Sequence, residues 1–205
     1  MEPASRSTGT RWVELLQSPT LMISVILIVV YVIVGIAAGS LLDPIQPVSI
    51  VYLLMQCDAP TPIFPWTILT TIFLHANILH IASNLLFLLL FGFILEEQVT
   101  KSQWLATFFM TGMIGSLSFV ALDVASNALT GVPNSSSWDC AVGASGAVYG
   151  IMGTAVGLKV VLLLIFLLGL NIFAGGGTPA HLGGLVAGLI LRKYWSLGGR
   201  SFRGI

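Results

Sequence analysis

Gly143-Ala144-Ser145-Gly146-Ala147-Val148-Tyr149-Gly150 is the stretch that decides how this chain is read. A serine flanked by glycines is common in soluble hydrolases. Here the apolar residues run on to Leu158, so the serine opens a segment suited to a membrane helix. The whole chain agrees with that setting: 205 residues, 56% hydrophobic and 8% charged. A soluble domain carries about 25% charged residues. So few charges cannot cover a water-facing surface, and the expected fold is an all-α polytopic membrane protein embedded in a lipid bilayer. A net charge of zero argues against nucleic acid as a partner. The sequence contains neither a P-loop nor a zinc-binding cluster, so no metal and no cofactor is expected.

Working outward, six apolar runs are long enough to consider as spans: residues 21–42, 68–95, 104–122, 141–158, 160–173 and 178–191. The expected organisation is a polar tail over 1–18, a six-transmembrane-helix bundle over 19–195 and a second tail over 196–205. Basic residues orient such a bundle. Arg6, Arg11, Lys101, Lys159, Arg192, Lys193, Arg200 and Arg203 all fall on one side of the six-span arrangement. The opposite loops, 43–66, 123–140 and 174–177, hold no Lys or Arg but carry Asp43, Asp58, Asp123 and Asp139. Both termini are therefore expected in the cytosol and the longer loops outside. Residues 21–42 exceed the roughly 7–15 apolar residues of a signal peptide, so an uncleaved first span is expected. Pro44, Pro47, Pro60, Pro62 and Pro65 make the first outer loop irregular, with residues 48–55 apolar enough to lie in the interface. Cys57 and Cys140 are too few for a disulfide scaffold and are read as unpaired loop thiols, a pairing in an oxidising compartment being the alternative. Asn134-Ser135-Ser136 is a glycosylation sequon that matters only in a eukaryotic secretory membrane. Nothing in the sequence fixes the oligomeric state.

Under this topology the second, fourth and sixth spans all enter from the outer face. They bring His80 with Asn84, then Ser145, then His181, to a similar depth. Polar groups inside a membrane are costly and point to function. A serine hydroxyl needs a base. Lys159 lies fourteen residues from Ser145, about 21 Å along a helix, and Lys101 is on the cytosolic side. The span interiors hold no Asp or Glu, which leaves the histidines. His80 and Asn84 at i,i+4 share a helix face and are suited to donate to a developing oxyanion. The backbone N–H of Ser145 adds a donor because a helix's first turn has unpaired amides. His181 is then the general base, with Tyr149 one turn below Ser145 placed to pack on its ring. Gly146, Gly150 and Gly153 on one span, and Gly184 and Gly188 on another, allow the backbones to approach closely. Gly175-Gly176-Gly177 is read as a mobile link before His181. His75 is assigned a structural role, and Glu96 and Glu97 are expected to cap the cytosolic end of the second span.

Three motifs together resemble the rhomboid family of intramembrane serine proteases: His75-x4-His80-x3-Asn84, the Gly143–Gly150 stretch, and Ala180-His181-x2-Gly184-x3-Gly188. The likeness covers roughly residues 66–191 and includes the order of the motifs. It implies a six-helix core with a Ser–His dyad and no acidic third member. Ser145 would be the nucleophile and His181 the base. His80, Asn84 and the Ser145 backbone would line the oxyanion hole, with Tyr149 supporting the His181 ring and Gly143, Gly146 and Gly184 shaping the site. The substrates implied are single-span membrane proteins, cut near the outer end of a helix that unwinds easily. A non-catalytic rhomboid-like protein that binds transmembrane helices is the alternative; a small transporter is disfavoured because no ionisable pathway crosses the core. The chain departs from the family pattern at Trp66-Thr67, where the family often has Trp-Arg, and at the near-direct join of the fourth and fifth runs. Residues 160–173 cover only about 21 Å as a helix, short of a bilayer core of about 30 Å.

Overall fold

The computed structural model describes residues 17–41, 51, 53–57, 64–130, 140–168 and 177–197. The expected tails 1–16 and 198–205, most of the first outer loop, the sequon and Gly175-Gly176 lie outside the described residues. The chain order is α1 (Pro19–Ala37), β1 (Gln56–Cys57), a one-turn α2 (Thr67–Thr70), a 3-10 turn (Thr71–Phe73), α3 (Ile78–Glu96), α4 (Lys101–Thr130), β2 (Cys140–Ala141), α5 (Ser145–Leu168) and α6 (Thr178–Tyr194). The protein is thus a helical polytopic membrane protein. Four described helical stretches have the length and composition to cross a bilayer: Pro19–Ala37, Ile78–Glu96, Lys101–Leu122 and Ser145–Leu164. α6, at 17 residues, is shorter.

The helix limits follow local chemistry. Ser18 caps α1 by accepting the Leu21 N–H, and a proline occupies the first turn. The second apolar run, expected as one helix over 68–95, is broken. Leu74 is extended, and Asn77 restarts the chain as the N-cap of α3 by accepting the His80 N–H at 2.9 Å. His75 therefore sits in the turn and not in the span. α4 extends well beyond the expected 104–122.

α5 is the hub. Ala144, Ala147, Ile151, Met152 and Ala155 are buried, and α3, α4 and α6 pack around it. A side chain at Gly184 would run into the Gly146 carbonyl, and one at Gly188 into the Gly150 carbonyl. The Thr154 hydroxyl donates to the Gly188 carbonyl at 2.9 Å, and Arg192 donates to the Thr154 carbonyl at 2.7 Å. Contacts therefore advance together down both helices, 146 with 184, 150 with 188 and 154 with 192. α5 and α6 run parallel. Small residues and hydroxyl bonds are the usual means of holding helices together in lipid, where no hydrophobic force acts between them. The outward faces are apolar, with Leu79, Leu86, Val186 and Ile190 exposed.

Two parallel neighbours so close in sequence require the chain to return between them. α5 is interrupted at Gly157, whose φ of 76° and ψ of 172° are not helical. From Ser145 to this break is about 18 Å, so the return has only that distance to cover. The helical residues 158–168 begin it; the remainder of the expected fifth run, 169–173, lies outside the described residues. Arg192 supplies the break with donors, giving bonds to the Thr154 and Ala155 carbonyls, while Gln98 donates to Ala155 at 3.1 Å. The carbonyls orphaned by the break are thereby satisfied.

Two expectations about single residues need correction. Cys57 and Cys140 are not free thiols: they form a disulfide across a two-residue antiparallel pair, β1 with β2, so the fold is not wholly helical. Glu96 does not cap its own helix. It accepts from the Ser18 hydroxyl at 2.7 Å and the Thr20 N–H at 2.8 Å, holding the start of α1, where a negative charge suits the helix dipole. In place of an arginine after Trp66, hydroxyls brace the first loop: Thr67 donates to Phe64 O and Thr70 to Leu54 O, while Trp66 Nε1 reaches Leu53 O.

Two outcomes are expected. The denatured chain titrates no free thiol before reduction and two after it, since its two cysteines are paired. Arg192→Met leaves the Thr154 carbonyl without its side-chain donor, while Ala155 keeps Gln98, and costs about 1–3 kcal/mol, read as a lower thermal midpoint in detergent.

Candidate active site

The end of the bundle nearest the disulfide carries the polar residues singled out in the sequence. Ser145 is the first residue of α5 and His181 lies in the first turn of α6. Because those helices are parallel and in backbone contact at Gly146 and Gly184, the two residues face each other. Ser145 Oγ lies 2.9 Å from His181 Nε2. The hydroxyl donates to this nitrogen when the ring proton is on Nδ1. Nδ1 is buried and has no hydrogen bond among the described residues. The ring is held by packing instead. Tyr149, one turn along α5, lies against it with centroids 4.7 Å apart and planes tilted by 31°. Gly177 is also close to the ring: a Cβ there would come within 3.2 Å of Nε2.

His80 and Asn84 lie one turn apart on α3. Asn84 is 4% exposed and donates one amide hydrogen to the His80 carbonyl at 3.0 Å, leaving its second N–H for another acceptor. The His80 ring fills the place a side chain would take at Gly143, where a Cβ would come within 2.7 Å of Nε2. Gly143 also has φ +125°, a conformation L side chains rarely adopt. Both facts require glycine there. His75 is buried, edge-on to His80 at 5.1 Å, and bonds through neither ring nitrogen among the described residues.

Ser145 and His181 sit between two hollows. The larger, about 540 Å³, is bounded by Thr71, Ser116, Gly143, Pro179 and the pair itself. The smaller, about 160 Å³, lies on the side of His80, Asn84, Tyr149 and Met152. A carbonyl entering from the large hollow would meet the serine, the imidazole and His80, while Asn84 lines the smaller hollow. This is a geometry for nucleophilic attack with anion stabilisation. Among the described residues no group of His, Cys, Asp and Glu is arranged to hold a metal. Sequence reasoning missed Thr71 and Ser116 as cavity residues; each is a hydroxyl inside an apolar run, with no spacing to a partner that marks it.

Residues 64–159 match the family model of the rhomboid domain. The match includes His80, Asn84, Ser145 and Tyr149, and His181 lies beyond it. Rhomboid-like protease 3 of Toxoplasma gondii is 28% identical over 149 residues, which is 64% of this chain and 52% of that protein. RHOMBOID-like protein 1 of Arabidopsis thaliana is 29% identical over 143 residues, 62% of this chain and 33% of the relative. RHOMBOID-like protein 6, mitochondrial, of the same plant is 29% identical over 144 residues, covering 62% and 42%. The chain thus spans about a third to a half of the length of these relatives.

The approach of the helices should decide the reactivity of Ser145. Gly184→Val drives a side chain into the Gly146 carbonyl and moves His181 away, so labelling of Ser145 by a fluorophosphonate should fall at least about tenfold, a loss of roughly 1.4 kcal/mol in the barrier. Leu182→Val, on the same helix but away from this contact, should label at the wild-type rate.

Proposed function

We propose, from the match of residues 64–159 to the rhomboid domain model, that the chain is a rhomboid-family intramembrane serine protease working through a Ser145–His181 dyad. The observation that carries this reading is the 2.9 Å contact between Ser145 Oγ and His181 Nε2 at the floor of an open cavity. His181 takes the hydroxyl proton as Ser145 Oγ attacks the scissile carbonyl. The tetrahedral oxyanion is met by the free N–H of Asn84, by His80 and by the backbone N–H of Ser145 at the start of α5. The imidazolium returns its proton to the leaving amine, and the C–N bond breaks to give an acyl-enzyme. A water then loses its proton to His181, attacks the ester and releases Ser145. Gly143 and Gly146 keep the backbone slim beside the nucleophile, and Tyr149 steadies the base.

We read the bundle as six crossings, the fifth being the run expected over 160–173, of which 160–168 are described. Both termini face the cytosol and the active site opens to the extracytoplasmic side. The one-sided distribution of all eight Lys and Arg residues supports this orientation. So does a disulfide at the Ser145 end, because disulfides persist in oxidising compartments. The substrates are single-span membrane proteins. A helix that unwinds near its outer end exposes its backbone to the cavity, whereas an intact helix hides its carbonyls in internal hydrogen bonds.

The test is cleavage of a reporter transmembrane protein in liposomes. Ser145→Ala and His181→Ala should each lower kcat by about 10³-fold or more. Asn84→Ala should lower it by about 10²-fold, the usual effect of losing one oxyanion donor. Equal product from wild type and both dyad variants would sink the protease reading and leave that of a non-catalytic protein that binds transmembrane helices.

A further inference from the structure

The segment leading into Ser145 is held by a residue that takes no part in the steps above. Thr71 is 3% exposed and begins the 3-10 turn Thr71–Phe73. Its hydroxyl donates to the Ala141 carbonyl at 2.5 Å, and its carbonyl accepts the Gly143 N–H at 3.0 Å. One residue thus grips two alternate positions of the segment, as a strand neighbour would.

Thr70 and Thr154 also reach carbonyls of other segments, but most described hydroxyls in the helices bond within their own helix. Ser24, Thr107, Thr111, Ser116, Ser118 and Thr154 each bond to the carbonyl four residues before them on their own helix. That back-bonding is the default for a hydroxyl in an apolar helix. Thr71 instead bonds across 70 residues of sequence.

The gripped segment is constrained at both ends. Upstream, Cys140 is joined to Cys57 by the disulfide, and Gln56 pairs with Ala141. Downstream, Gly143 has a positive φ and the His80 ring abuts it. Two residues later comes Ser145. Gly143 therefore stands between the two sources of anion-stabilising donors, the His80 side chain and the start of α5. Whatever fixes Gly143 fixes their separation.

We propose that Thr71 is a positioning residue for the oxyanion side of the site, acting through Gly143, with the Cys57–Cys140 disulfide as the anchor that keeps the segment within its reach. This rests on the protease reading for its effect on rate, but not for its effect on the segment. Loss of the Thr71 hydroxyl removes one of the bonds that hold Ala141 and lets residues 141–143 shift relative to His80. A misplacement of about 1 Å near reacting groups lowers rate by around 10²-fold.

The test uses the full chain in detergent. Thr71→Val and Thr71→Ala remove the donor, and Thr71→Ser keeps it. In Thr71→Val and Thr71→Ala, kcat on the reporter should fall about tenfold to a hundredfold, with KM within about twofold of wild type. Thr71→Ser should recover most of the loss. Hydrogen exchange is measured in parallel in a Ser145→Ala background, where no cleavage is needed. The amides of residues 141–144 should exchange several-fold faster with Val or Ala at 71, and at the original rate with Ser. A phosphine reductant, or the double variant Cys57→Ser with Cys140→Ser, should speed the same amides. Unchanged exchange at 141–144 in the Thr71 variants overturns the proposal, as does a Thr71→Ser chain as slow as Thr71→Val. Unchanged exchange after reduction overturns the anchor. Failure of the wild type to cleave in a Ser145-dependent way would instead count against the protease reading and leave the exchange result standing.

Discussion

The parallel contact of α5 with α6 is the constraint on which the rest of the molecule depends. At Gly146 with Gly184, and again at Gly150 with Gly188, one helix lies against the other's backbone with no space for a methyl group. Ser145 is next to the first of these glycines and His181 one turn before its partner. The register that packs the helices is therefore the register that sets Oγ beside Nε2. A bilayer offers no hydrophobic gain for bringing two helices together. The pair relies on close backbone contact, on Thr154 bonding to Gly188 and on Arg192 bonding to the far end of α5. Both ends of the interface are thus defined by polar groups, and the middle by the lack of side chains.

Parallel packing brings a topological demand, because the chain must climb back before it can descend again. Gly157 meets this demand by ending the regular part of α5 early. A break inside lipid would normally leave carbonyls without donors. Here the guanidinium of Arg192 and the amide of Gln98 arrive from α6 and from just beyond α3 to supply them. The same arginine counts toward the one-sided charge distribution from which the orientation is proposed. One residue thus serves both topology and packing, as its fork of donors allows.

The bulk of the fold was legible because hydropathy and charge are summed over many residues. The apolar runs announced helices, and the pattern at His80, Asn84, Ser145, Tyr149 and His181 anticipated residues that the structure brings together. What the sequence concealed was set by single contacts between distant positions. Apolar residues continue through Gly157, so nothing in composition marks it as the end of a helix among so many other glycines. Asn77 splits a run that looks continuous because one side-chain oxygen caps the helix carrying His80. Cys57 and Cys140 are 83 residues apart, a separation that says nothing of pairing. Glu96 ends one helix and serves the start of another. Thr71 shows its role only once Ala141 and Gly143 are seen beside it.

Among the described residues the proposed dyad has no acidic partner of the kind that usually orients a catalytic imidazole, and its surroundings offer another way to hold the ring. A carboxylate behind His181 would have to be buried at this depth, and removing such a charge from water costs several kcal/mol even when it is paired. Its normal service is to fix the ring's orientation and to stabilise the imidazolium. Orientation can be obtained without charge. The Tyr149 ring packs against the imidazole and Gly177 lies near Nε2, and the ring so placed presents Nε2 to Ser145. Stabilisation of positive charge is then left to the aromatic face of Tyr149, an interaction worth about 0.5–2 kcal/mol that needs no ionised partner. Such an imidazole is a weaker base than one held by aspartate. The burden therefore moves to the oxyanion side, where neutral donors operate in a low-dielectric setting that strengthens them. On this account the accuracy with which His80, Asn84 and the start of α5 are held matters more than it would in a triad, and so does the segment from Cys140 to Gly143 that ties them together.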